Sequence, residues 1–96
     1  DGLPNDFALH QNYPNPFNPT TSINYDLPEE AFVSIRIYDL RGRLVSMLVN
    51  KEQTAGYKAI RWSGNDNSGK RVSAGIYLYE IQAGDFRQVK KMVLLK

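Results

Sequence analysis

The chain has 96 residues, 42% of them hydrophobic and 11% aromatic, which fits one domain with a modest core and excludes a disordered tail. A net charge of +2 is too mild to argue for nucleic acid, and the absence of cysteine excludes both a disulfide framework and a thiolate metal site. No apolar run approaches the roughly 20 residues of a membrane helix.

Residues 1–6, Asp1-Gly2-Leu3-Pro4-Asn5-Asp6, have the turn-forming composition of a linker. With Asp1 rather than Met at the start, the expectation is a piece of a longer protein, joined by this linker to an upstream domain. Four of the five prolines lie between His10 and Pro28. Each proline fixes its own φ near −65° and keeps the preceding residue out of the helical region, so this stretch runs extended with turns at its Asn-Pro steps. It reads either as a docking strip or as a rigid collar, with Phe17 or Tyr13 plugging one end of the domain.

Beyond it the chain alternates with period two. Residues 21–27 form the first such strand, and Phe32–Leu40 the next, with Val33, Ile35 and Ile37 on one face and Ser34, Arg36 and Tyr38 on the other. A turn at Asp39–Gly42 then leads into an apolar strand from Arg43 to Val49. Gly42 suits a positive φ, and Asp39 suits a carboxylate that accepts from turn amides. Residues 43–53 could pass for a short helix, but their β-branched content and flanking turns favour a strand. Ile60 and Trp62 point inward from a strand that begins at Ala55-Gly56. Asn65–Gly69 is a tight loop ending on Gly69, a short strand surrounds Val72, and Gly75 turns the chain into Ile76–Ala83. Tyr77, Tyr79 and Ile81 share one face there, and Phe86–Leu95 is the last strand. About seven strands at this spacing predict an all-β fold, an immunoglobulin-like antiparallel sandwich over residues 7–96.

Little here points to catalysis. The single histidine, His10, lies in the proline-rich stretch, and no carboxylate pair or nucleophile–base pair stands out. The expectation is a module that is not an enzyme and holds no cofactor or metal. Asn65-Asp66-Asn67-Ser68-Gly69 spaces oxygen ligands like a calcium loop, but Lys70 and Arg71 follow and position 75 is glycine where an acid is required, so an Asx turn is preferred. Tyr38 and Tyr57, on outward phases of their strands, are candidates for stacking on sugar rings, as in a carbohydrate-binding or spacer module attached to a secreted hydrolase. The last strand carries Arg87, Lys90, Lys91 and Lys96, a basic edge of the kind that deters sheet-to-sheet aggregation.

Several blocks resemble a known family in their order. They are Tyr13-Pro14-Asn15-Pro16-Phe17-Asn18-Pro19-Thr20-Thr21; Tyr25-Asp26-Leu27-Pro28; Ile37-Tyr38-Asp39-Leu40-Arg41-Gly42-Arg43-Leu44-Val45; Trp62-Ser63-Gly64-Asn65-Asp66; Ala74-Gly75-Ile76-Tyr77-Leu78-Tyr79; and the closing Lys90-Lys91-Met92-Val93-Leu94-Leu95-Lys96. The chain resembles the type A C-terminal sorting domain of the type IX secretion system, which is similar to the immunoglobulin-like domain of the flagellar hook-capping protein. The resemblance implies a non-catalytic module that sends a larger protein through the periplasm and outer membrane, to the surface or the medium. Its implied partners are the outer-membrane translocon, a sortase-like peptidase and the upstream cargo domain, with no nucleic acid and no transmembrane segment. It also implies that Lys90, Lys91, Met92, Val93, Leu94, Leu95 and Lys96 are what the translocon reads. A structural scaffold domain, as in the hook-capping protein, is the alternative.

Overall fold

Alternation of apolar side chains governs most of the chain. In the computed structural model, which describes residues 2–95, it produces seven strands and no helix among those residues. They are β1 (Ala8–Leu9), β2 (Thr21–Leu27), β3 (Ala31–Asp39), β4 (Leu44–Gln53), β5 (Gly56–Trp62), β6 (Gly75–Ala83) and β7 (Phe86–Leu94). All pair antiparallel, in a three-stranded sheet of order β1-β2-β5 and a four-stranded sheet of order β4-β3-β6-β7. This is an immunoglobulin-like sandwich: each sheet turns one face inward, and the inner side chains of both form the core.

Ile23, Tyr25, Leu27 and Trp62 from the smaller sheet meet Val33, Ile35, Ile37, Tyr79, Ile81, Met92 and Leu94 from the larger one. The buried polar edges are satisfied. The Tyr25 hydroxyl donates to Gln53 Oε1 at 2.7 Å, and the Trp62 indole donates to the Asn65 carbonyl at 2.9 Å.

The expected strand count holds, but its membership differs. No strand surrounds Val72, because Arg71 makes only an isolated bridge to Asn65 and the chain there is loop. The missing strand is replaced by the two-residue β1, which pairs Ala8 with Asp26 and Leu9 with Tyr25. The second strand of the β3–β4 hairpin runs on to Gln53. Register shifts opposite Ile35/Arg36 and Ile37/Tyr38 leave Leu48 and Val45 as extra residues, so β4 carries two bulges. Of the two aromatic side chains expected to plug the sandwich end, Phe17 does so at 1% exposure and Tyr13 does not, at 81%. Phe17 packs on Trp62, with ring centroids 5.8 Å apart, and Trp62 meets the edge of Tyr77 at 5.4 Å.

Candidate functional site

β7 is the outer strand of the four-stranded sheet, and its pleat divides the basic tail. Met92 and Leu94 face inward and are buried, and Lys90 shares their phase, half-buried. Lys91 and Leu95 are exposed, and Val93 is half-buried on the outward phase. Lys96 lies outside the described residues. Among the described tail residues implied by the resemblance, then, Lys91, Val93 and Leu95 present their side chains on the outward phase of the folded domain. On the outer face they sit beside Leu78, paired with Lys91, and Ile76, paired with Val93. Further along, Glu80 is paired across the strands with Val89 and forms an ion pair with Arg87, so the one buried acid of this face is neutralised. The part of the face around Lys91 is therefore apolar, formed by Ile76, Leu78, Val89 and Val93.

The proline-rich stretch lies along the free edge of this same strand. Phe17 N–H donates to the Val93 carbonyl at 2.9 Å, and Leu95 N–H donates to the Phe17 carbonyl at 2.8 Å. Asn15 Oδ1 accepts from Val93 N–H at 2.9 Å, and Gln11 Nε2 donates to the Lys91 carbonyl at 2.8 Å. Phe17 and Leu94 form a parallel bridge. Pro14 and Pro16 have no N–H, so the strap pairs through the residues between and after them, with an asparagine side chain standing in for a missing backbone partner. On sequence alone the two ends of the domain appear as separate features. Their contact is a pairing between residues nearly 80 positions apart, which no local pattern encodes. The available hint was the order Asn15-Pro16-Phe17, a polar acceptor beside a large apolar anchor.

The opposite edge of the sheet is covered in the same way. Asn67 N–H donates to the Val45 carbonyl at 3.0 Å, and its Oδ1 accepts from Met47 N–H at 2.9 Å. Asp66 holds that loop: its Oδ1 accepts from Ser68 Oγ at 2.8 Å, Ser68 N–H at 3.0 Å and Lys70 N–H at 2.9 Å. These bonds, led by the Ser68 hydroxyl, lower the Asp66 pKa. The same oxygen that a calcium ion would need is thus occupied by an Asx turn. Gly69 closes that turn at φ +86°. In the β3–β4 turn, Asp39 Oδ1 accepts from Arg41 N–H at 2.9 Å and Arg43 N–H at 3.0 Å, while Gly42 has φ +85°. The Arg43 amide leads the lowering of the Asp39 pKa. Gly75 opens β6. These residues build turns, and among them the Asn65–Gly69 loop covers the β4 edge.

Tyr38 and Tyr57 are not brought together. Tyr38 is on β3 of the four-stranded sheet, half-buried, with its hydroxyl 3.4 Å from Glu80 Oε1. Tyr57 is on β5 of the other sheet and is 67% exposed. Outward phases on two different sheets point to opposite sides of a sandwich, so the pair cannot form one stacking platform.

The family model of the FlgD Ig-like domain matches residues 15–85. No curated protein matches the chain. Among solved structures, the fold is similar to part of dimeric latent PorU from Porphyromonas gingivalis, with a TM-score of 0.74 and 20% identity over 94% of this chain. It is also similar, at a TM-score of 0.61 and 20% identity over 94% of the chain, to part of PorZ of the same organism, described as an essential bacterial surface component of the type IX secretion system. A third similarity, at a TM-score of 0.55 and 15% identity over 94% of the chain, is to the alkylpurine DNA glycosylase AlkC of Pseudomonas fluorescens bound to DNA. The chain spans 9% of PorU, 11% of PorZ and 30% of AlkC, so each likeness is to one domain of a larger protein and concerns the fold alone.

Proposed function

The chain belongs to the FlgD Ig-like domain family, and on that footing we propose that it works as a C-terminal sorting module of type IX secretion. In this reading it is non-catalytic. It carries an upstream cargo through the periplasm and the outer membrane, where the translocon reads it and a sortase-like peptidase releases the cargo or attaches it to the surface. The observation that carries the reading is the clasp between Gln11–Phe17 and Lys91–Leu95. Two of the sequence blocks that resemble the sorting family, the first and the last, form one continuous surface at one edge. A similar fold in PorZ, a surface component of that secretion system, supports the same reading.

On this reading the translocon meets Lys91, Val93 and Leu95 and the strap beside them, while Met92 and Leu94 hold the domain together. The test is a periplasmic reporter fused ahead of this chain in a host with type IX secretion. Lys91→Glu combined with Leu95→Ser changes only exposed side chains and is expected to abolish export, with the domain still folded by circular dichroism. Wild-type export by the double variant would overturn the surface assignment, and export without the whole domain would overturn the sorting role. Family membership also favours a second reading, a structural scaffold domain that is never cleaved. Export that does not depend on the domain selects it.

A further inference from the structure

The outer face of the three-stranded sheet has a feature that sorting does not use. Ser22, Asn24 and Asp26 lie on the outward phase of β2, while Thr21, Ile23, Tyr25 and Leu27 face the core. Tyr13 forms an antiparallel bridge with Ser22, and Tyr57 pairs with Asp26, so both tyrosines share the outward side with their partners. They stand at opposite corners of the face, four residues apart along β2 and one strand to either side of it. Strand geometry sets their Cα separation on the order of 16 Å.

Between them is an open cleft of about 490 Å³ lined by both tyrosines with His10, Ser22, Asn24 and Asp26. Ala59, paired with Asn24, keeps the floor low on the β5 side. Exposures of 81% for Tyr13 and 67% for Tyr57 are unusual for side chains that bury so much area when given a partner. Neither ring is spent on the core, unlike Phe17, Tyr25, Tyr77 and Tyr79.

We propose that this face is a glycan-binding site, in which Tyr13 and Tyr57 stack on sugar rings of a neutral oligosaccharide that crosses β2 diagonally. A sugar ring has apolar C–H faces, which suit aromatic rings, and hydroxyl edges that each donate and accept. Ser22, Asn24 and Asp26 offer both functions along the floor. The Asp26 carboxylate is held by His10 Nε2 at 3.0 Å, which fixes an acceptor beneath the chain. A nucleic acid would require several cations to neutralise its phosphates. Among the described residues of this face, the one exposed cation beside the cleft is Arg61, paired with Ser22; Lys58 Nζ is turned to Thr54 Oγ1 at 3.1 Å, and Asp26 opposes an anion. The distance between the tyrosines suits a chain of sugars rather than one ring. Tyr57 and the β2 residues lie on the opposite sheet from Lys91 and Leu95, whereas Tyr13 belongs to the strap, so Tyr57→Ala is the variant that separates this site from the sorting reading.

Affinity electrophoresis of the purified 96-residue chain through gels containing xylan, mixed-linkage β-glucan or glucomannan tests the site. Retardation is expected in at least one gel. Tyr13→Ala and Tyr57→Ala should each weaken it about tenfold, the loss of one stacked ring. Tyr38→Ala, on the other sheet, should leave it unchanged. A thermal melt of each variant shows that it is folded; should Tyr13→Ala fail to fold, Tyr57→Ala alone decides. No retardation of the wild type in any of the three gels would overturn the proposal. So would retardation that survives both exposed-tyrosine substitutions, or that Tyr38→Ala removes equally. A domain that is exported normally and fails here loses only the glycan site, and one that binds glycan but is not exported loses only the sorting role.

Discussion

Tyr79 secures the proline-rich strap through a single oxygen. Its side chain is fully buried in the core, and its hydroxyl donates to the His10 carbonyl at 2.8 Å and accepts from Asn12 N–H at 2.8 Å. In the tyrosine corner of immunoglobulin-like sandwiches a hydroxyl bonds backbone a few residues upstream, whereas here the tyrosine reaches backbone 67 and 69 residues upstream. Tyr79→Phe keeps the ring and orphans two backbone groups, so urea unfolding should show a loss of about 1–3 kcal/mol. Burial, partly offset by the Asn12 amide, raises the Tyr79 pKa from the usual 10 to about 12. Folding therefore favours the neutral phenol. That contribution is fully present below pH 10 and is lost as pH rises through 12, because the unfolded tyrosine ionises first. The stability difference between wild type and Tyr79→Phe should thus narrow across that window. A difference that stays constant from pH 9 to 12 would show that Tyr79 is not held neutral by the fold. Asn12 adds to the same anchorage, with its amide donating to Thr21 Oγ1 at 3.0 Å.

β7 is both a core element and a surface, and its two roles separate by residue parity. Removing Lys90–Lys96 deletes Met92 and Leu94 from the core and the partner of the strap, so such a truncation is expected to unfold the domain before it reports on recognition. Phe17→Ala attacks the clasp from the other side. It empties a fully packed site against Trp62 and should cost about 3–5 kcal/mol in chemical denaturation. A loss below 1 kcal/mol would mean that the strap is not part of the cooperative unit. The strands were legible where alternation was clean, as in β3 and β6. β4 was ambiguous because Leu44, Val45, Leu48 and Val49 stand at near-helical spacing, which the strand accommodates with two bulges. The strand expected at Val72 failed because this segment pairs with its own loop: Arg71 bridges Asn65, and Val72 N–H donates to the Gly64 carbonyl at 2.9 Å. Of the candidate site, the terminal basic strand was visible in composition, but the clasp was not. Nor was it visible that Tyr57 shares its face with Tyr13 rather than Tyr38, since sheet membership decides which outward residues are neighbours.

At the scale of the whole molecule, the two sheets present different chemistry. The four-stranded sheet shows an apolar patch around Lys91 on its outer face, with asparagine-bearing segments along both edges, and the three-stranded sheet shows a polar cleft between two tyrosines. Closing both edges removes the templates for unwanted strand addition, and the basic residues of β7 act in the same direction. The parallel bridge between Phe17 and Leu94 has a mechanical consequence. Tension applied between residues 2 and 95 pulls the strap and β7 past each other along their common axis. The Phe17, Val93 and Leu95 bonds are then loaded together rather than one after another. Tension applied between residues 74 and 95 instead peels β7 from β6 at Gly75↔Leu94, one bond at a time. Single-molecule pulling should give a higher rupture force in the first geometry, and an equal or lower force would show that the clasp bears no load. A domain built this way resists being drawn out by its ends, and yields when pulled from the side.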